Sequence, residues 1–203
     1  MMADLAARIR AAATGKPRFL VGIFGAPASG KSTLASDLET ALGSESVAVP
    51  MDGYHLDDSL LIARDHRARK GAPHTFDPAG YRALLQRIKS GEPEVYFPTF
   101  DRSMELSRNA ARVVTQDQRI ILCEGNYLLL DQPLWRDLKP LFDLTIGLRV
   151  SVDELESRLT ERWRVHGKTP EQARAWIAAN DMPNILTVID GSMEPDVWLE
   201  NYF

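Results

Sequence analysis

The chain has 203 residues, 44% of them hydrophobic and 26% charged, with a formal charge of −4. That length suits one α/β domain with a sizeable core, and no apolar run approaches a membrane span. The acidic balance gives no footing for non-specific binding to nucleic acid or to an anionic membrane, so neither is expected as a partner.

The single cysteine, Cys123, excludes an internal disulfide and suits a reducing compartment. The start lacks the apolar core of a secretory signal, so a cytoplasmic protein is expected. His55, His66, His74 and His166 are too scattered in sequence for a zinc site.

In chain order, Leu5, Ile9 and Ala12 or Ala13 align on one side of an N-terminal helix that Gly15, Lys16 and Pro17 end. Residues 19–24 form a short apolar run with β-branched Val21 and Ile23, which reads as a buried strand. Directly behind it, GAPASGKS at 25–32 matches G-x-x-x-x-G-K-[ST], and from Thr33 a helical pattern of Leu34, Leu38 and Leu42 runs to Gly43. A strand before this motif and a helix after it is the context that gives it meaning.

The chemistry follows from the residue types. Gly25 and Gly30 permit backbone angles at which successive N–H groups converge on phosphate oxygens, and the helix adds the positive end of its dipole. Lys31 can reach β- and γ-phosphates, and the Ser32 hydroxyl is placed to hold Mg²⁺. The stretch Gly25, Ala26, Pro27, Ala28, Ser29, Gly30, Lys31, Ser32 and Thr33 is therefore a nucleotide-phosphate site.

A second strand at 47–51 runs into Asp52, Gly53, Tyr54 and His55. Residues 56–67 read as a helix, 69–80 as a loop by their glycines and prolines, and 81–88 as a helix that Gly91 and Pro93 end. Residues 95–102 are extended and lead into a polar connection. Residues 119–125 form another buried strand, continued by 126–130, and 134–142 is a short helix or turn. A further strand at 143–150 precedes helices at 152–165 and 170–180. The Ile- and Val-rich 184–189 reads as a last strand.

Strands alternating with helices imply a mostly parallel central sheet with helices on both faces, without a linker that would divide the chain. In such sheets ligands gather at the carboxyl ends of strands, so Gly25, Asp52 and Glu124 should converge on one crevice.

GAPASGKST at 25–33, MDGYH at 51–55 and LCEGN at 122–126 resemble a group of P-loop small-molecule kinases. The group includes uridine kinase, bacterial pantothenate kinase and phosphoribulokinase. RKGAPHTFD at 69–77 and NDMPN at 180–184 bring the chain close to the short bacterial members called fructose transport system kinases. The resemblance implies a three-layer P-loop NTPase fold over residues 1–203 as a single domain. It also implies ATP and Mg²⁺ as cofactors and a small-molecule acceptor, and leaves open whether the enzyme works as a homodimer.

Several roles follow. Phosphoryl transfer needs a carboxylate to accept the acceptor's proton, and Asp52 has both the reach and the family's matching position. Glu124 ends an apolar strand, where it fits a Walker-B-like acid that binds Mg²⁺ through water or orients Ser32. The resemblance assigns residues 158–169 to a lid in which Arg158, Arg162 and Arg164 close over the phosphates. Arg162 is the expected catalyst there, and the plain alternative is a solvated helix face paired with Glu154 and Glu161.

Tyr54, His55, Arg69, Phe76, Asp77, Asp101 and Arg102 are the acceptor-side candidates, because their segments follow the strands at the crevice. Uridine kinase has Tyr-Asp-Phe followed by a histidine where this chain has Phe100, Asp101 and Arg102 and no histidine up to Arg119. That departure counts against uridine. A sugar such as fructose leads, with pantothenate and a nucleoside behind it.

Two other classes compete. A GTPase or ATPase switch has no evident use for Asp52 beside an acceptor pocket, and the GTPase version would need an Asn-Lys-x-Asp guanine reader, which the chain lacks. The intact set of Lys31, Ser32, Asp52 and Glu124 argues against a nucleotide-binding regulatory subunit without turnover.

Overall fold

The computed structural model describes residues 2–200, and its frame follows from the apolar runs. Strand β1 (Phe19–Gly25) is buried along its whole length, as a strand covered on both faces must be. It is the middle strand of a five-stranded parallel sheet ordered β2-β5-β1-β6-β7. Its neighbours are β5 (Ile120–Gly125) and β6 (Leu144–Arg149). The edges are β2 (Ser46–Pro50) and β7 (Val197–Glu200). Register sets Glu124 level with Ile23 on one side and with Pro50 on the other. The carboxyl ends of β1, β5 and β2 therefore finish side by side.

Helices cover both faces. Helix α1 (Met2–Ala12) buries Leu5 and Ile9, and α2 (Lys31–Leu42) buries Leu34, Leu38 and Leu42, in one cluster with Ile23 and Ile146. On the other face α4 (Pro78–Lys89) sets Tyr81, Leu84, Leu85 and Ile88 against Val49, Ile121 and Cys123. Burial pushes the Cys123 thiol up to about 12, which keeps it an inert packing group.

A third cluster joins α5 (Val152–Val165), α6 (Pro170–Trp176) and α7 (Met182–Gly191) to the phosphate loop. In it Leu155, Leu159, Ile177 and Ile185 pack with Ala26 and Val150. Each fully buried leucine there stabilises the fold by about 1.5–3 kcal/mol. Among the described residues no helix is long and apolar enough to cross a membrane.

Four local expectations give way. Residues 184–189 are not a strand: they lie in α7, with Pro183 in its first turn and Ile185 and Val188 on the buried face, and the last strand is β7 instead. The helix expected over 56–67 is only α3 (Asp58–Ala63), because Asp57 caps its start and Asp65 turns left-handed at φ 56°. The polar connection after residue 102 is a strand, β4 (Leu106–Thr115), paired antiparallel to β3 (Glu94–Asp101) as a separate hairpin. The chain beyond Gly125 turns rather than extending, which buries Tyr127, Leu128, Leu129 and Leu130.

Helices α6 and α7 run on through a π-helical turn, Ile177–Asp181, in which Met182 N–H donates to the Ile177 carbonyl.

Candidate active site

The loop between β1 and α2 closes on itself through Ser29 N–H donating to the Ala26 carbonyl across 3.1 Å. Gly30 at φ 95° and Ala28 at φ 65° occupy the left-handed region that turns its N–H groups inward. A Cβ on Gly25 would stand 2.7 Å from Ser29 Oγ and 3.1 Å from the Leu148 carbonyl, so only glycine lets the loop close there. Helix α2 begins at Lys31 without a side-chain cap, which leaves its first N–H groups for a ligand. Ser29 Oγ is buried and has no hydrogen-bond partner among the described residues. An orphaned hydroxyl, uncapped N–H groups and a lysine in one concavity fit a nucleotide's phosphates.

Lys31 is 7% exposed and donates to the Ala26 carbonyl across 2.9 Å. Burial lowers its ammonium to about 8, against the pull of Glu124 and Asp52. Glu124 is 8% exposed, and burial raises it to about 7, helped by Asp52 and opposed by Lys31. The Ser32 hydroxyl donates to Glu124 Oε1 across 3.2 Å.

Hydroxyl and carboxylate oxygens suit a hard cation such as Mg²⁺. The described residues contain no cluster of three or more acidic, histidine or cysteine groups that could hold a metal. Phosphate and water oxygens must complete any coordination here.

Asp52 sits in the 3₁₀ turn Met51–Tyr54 directly after β2 and accepts from Arg102 Nη2 across 2.8 Å. Lys31, Ser32, Asp52 and Glu124 line one cavity of about 780 Å³. The convergence expected from topology is present. Pro27, Ala28, Gly30 and Thr33 line the same cavity, as do His55, Phe76, Arg102, Arg158 and Arg162. His55 is gripped between Phe76 and Phe100, with ring centroids 4.0 and 4.5 Å away, and its Nδ1 lies 2.8 Å from the Asp52 carbonyl. Burial lowers its imidazole below the ordinary value, so the neutral ring donates from Nδ1 and leaves Nε2 as an acceptor.

Other expected residues lie elsewhere. Tyr54 packs edge-on against Tyr81 at 5.2 Å and is outside the cavity wall. Asp77 caps α4 by accepting from Gly80 N–H. Asp101 is used within the hairpin turn, where it accepts from the Ser103 hydroxyl across 2.6 Å. Arg164 is exposed, paired with Glu161 across 2.6 Å, and does not line the cavity. Arg69 reaches Asn180 and Asn184 and does not line the cavity.

Arg158 pairs with Glu154 across 2.8 Å and reaches the Ala28 carbonyl, and burial lowers the Arg162 guanidinium. Lys168 lies over Trp163 and Trp176 at 5.1 and 4.9 Å. Asn126, Asn180, Asp181 and Asn184 were not among the expected site residues and line the cavity with Lys70. The spacing of Asn180 and Asn184, four apart on one helical face, was the available signal for two of them.

No protein-family model matches the chain. A Schizosaccharomyces pombe protein provisionally named a uridine kinase is 36% identical over 195 residues, covering 90% of this chain and 83% of its own length. Uridine kinase from Klebsiella pneumoniae is 33% identical over 181 residues, covering 86% of this chain and 83% of its own. Among solved structures, a Silicibacter sp. TM1040 protein provisionally named a fructose transport system kinase superposes with a TM-score of 0.93. It is 39% identical and covers 98% of both chains.

Proposed function

The chain belongs to the uridine kinase-like family of ATP-dependent P-loop kinases, and we propose that its acceptor is a small polyhydroxylated molecule, a sugar such as fructose. The observation that supports this choice is the fate of the aromatic rings. A nucleoside needs a free aromatic face for its base. Phe76 and Phe100 both pack on His55, Lys70 lies over Phe100 at 5.1 Å, and Tyr54 and Tyr81 pack on each other. The two other wall aromatics, Trp163 and Trp176, have Lys168 over their rings, and the rest of the wall is rich in hydrogen-bonding groups, among them Lys70, Arg102, Asn126, Asn180 and Asn184.

In this reading the chain works as one domain. The loop N–H groups and Lys31 hold the phosphates, and Ser32 with Glu124 holds Mg²⁺, which when bound neutralises phosphate charge. Asp52 takes the proton from the acceptor hydroxyl. Residues 158–169 act as a lid that brings Arg162, with Arg158, over the transferring group and excludes water.

The test is product mass spectrometry after incubation with ATP, Mg²⁺ and a mixed pool of sugars, nucleosides and vitamin precursors. A phosphorylated sugar is expected. A nucleoside or pantothenate product with sugars untouched overturns the acceptor and leaves the kinase standing.

A further inference from the structure

Arg69 joins two pieces of chain that meet at the cavity: the loop leading to Phe76 and the helix carrying Asn180 and Asn184. Its Nη1 donates to the Ala179 carbonyl and, across 3.0 Å, to Oδ1 of Asn180. Its Nη2 donates to Oδ1 of Asn184 across 3.3 Å. Ala179 has a carbonyl to offer because the residue four further on, Pro183, has no N–H, and the turn there is π-helical.

A guanidinium carries donors only, so the atoms facing it must be carboxamide oxygens. The planar amides then turn both Nδ2 groups the other way. Neither Nδ2 has a hydrogen-bond partner among the described residues. Neither is among the buried polar atoms left unpaired, which are Ser29 Oγ, His66 Nδ1 and Ser192 Oγ. Both asparagines are 5% exposed and both line the cavity, so the solvent their amides reach is the cavity's. The Asn184 Nδ2 lies 3.7 Å from where a Cβ on Gly71 would stand, which fixes the side it faces.

We propose that Arg69 is a positioning residue that locks both carboxamides with their N–H groups toward the acceptor. This part of the pocket then takes a group offering oxygen lone pairs, such as a sugar's hydroxyl or ring oxygens or a carboxylate. A group presenting N–H at the same place sets donor against donor. The acceptor's identity rests on the kinase reading above, whereas the amide orientation stands without it.

Two measurements on the full chain decide the proposal. Without any ligand, NMR should show a nuclear Overhauser contact between the Asn184 side-chain amide protons and the Gly71 Hα. Arg69→Met should lose that contact. Its absence in the wild type, or its survival unchanged in Arg69→Met, overturns the orientation.

Asn184→Asp keeps an oxygen toward Arg69 and removes the N–H donors. Its melting temperature should not fall. Its KM should rise at least about tenfold for whichever of D-fructose, pantothenate and uridine the wild type phosphorylates, while the KM for ATP stays within about twofold. An unchanged acceptor KM overturns the recognition role, and the compound turned over separates hydroxyl from carboxylate. If the wild type phosphorylates none of the three, the acceptor reading fails and the NMR result alone decides the role of Arg69.

Discussion

Arg102 donates to Asp52 across 2.8 Å, so a cation from the tip of the β3–β4 hairpin engages the carboxylate at the end of β2. Asp52→Asn keeps an oxygen for Arg102 and removes the base. It should bind an ATP analogue nearly normally by calorimetry and lose turnover by about a hundredfold or more, the scale for a positioned base. Near-wild-type turnover would move the base elsewhere, with Glu124 the next candidate.

Lys31→Ala should abolish transfer and leave the fold intact. The loop's shape comes from Gly30, Ala28 and its own backbone hydrogen bond, and Lys31 adds only a bond to the Ala26 carbonyl. Thermal melting beside a coupled ATP-consumption assay checks both halves. A variant that melts like the wild type and keeps most of its activity would sink the phosphate-loop assignment.

Hydrogen exchange tests the proposed lid. Gly167 at φ 80° separates α5 from α6 and is the hinge that the lid proposal requires. Residues 158–169 should exchange more slowly when an ATP analogue and acceptor are both bound. Equal exchange in the two states would make Arg158 and Arg162 fixed wall residues.

Gly53→Ala should destabilise the protein by about 1–3 kcal/mol, because the added Cβ would run into the Pro98 carbonyl. Backbone cannot rotate away as a side chain can, so the 3₁₀ turn must shift and Asp52 with it. Urea unfolding gives the stability, and turnover should fall in the same variant. A wild-type midpoint would show that the hairpin yields freely.

Burial holds the Asp181 carboxyl above its ordinary value of 3.8, against the hydrogen bond from Trp163 and the charges of Arg162 and Lys168. The sign is set by linkage: folding disfavours the ionised form, so stability is lost as pH rises from the ordinary value through the folded one. Asp181→Asn keeps an acceptor for Trp163 and carries no charge. It should melt higher than the wild type at neutral pH, and the gain should vanish below the carboxylate range. A lower melting temperature at neutral pH would mean that the cations outweigh burial.

What could be read from sequence was local. The phosphate loop is contiguous, and β1 and β5 are unbroken apolar runs, so spacing alone located them. Strand β4 exposes most of its length and is defined by its pairing with β3, a partner that its own polar residues do not announce. In α7, Ile185 and Val188 already follow helical spacing, but their β-branched type pointed to a strand.

Helical phase separates the arginines. Arg158 and Arg162 are one turn apart and share the cavity side, whereas Arg164 lies about 200° further round. Tyr54, Asp101 and Arg69 needed tertiary knowledge, since the groups that claim them are a helix residue, a hairpin turn and a distant pair of asparagines.

The π-helical turn at Ile177–Asp181 lets the helix absorb a change in residue number there. Deleting Ala178 would restore an ordinary α-helix without changing any residue that lines the cavity. A π turn holds one residue more than an α turn for about the same rotation, so Asn184 would stay on the wall and Ile185 would keep its packing against Leu155 and Leu159. At this place a one-residue gap between homologues is absorbed by the helix and leaves the pocket wall in register.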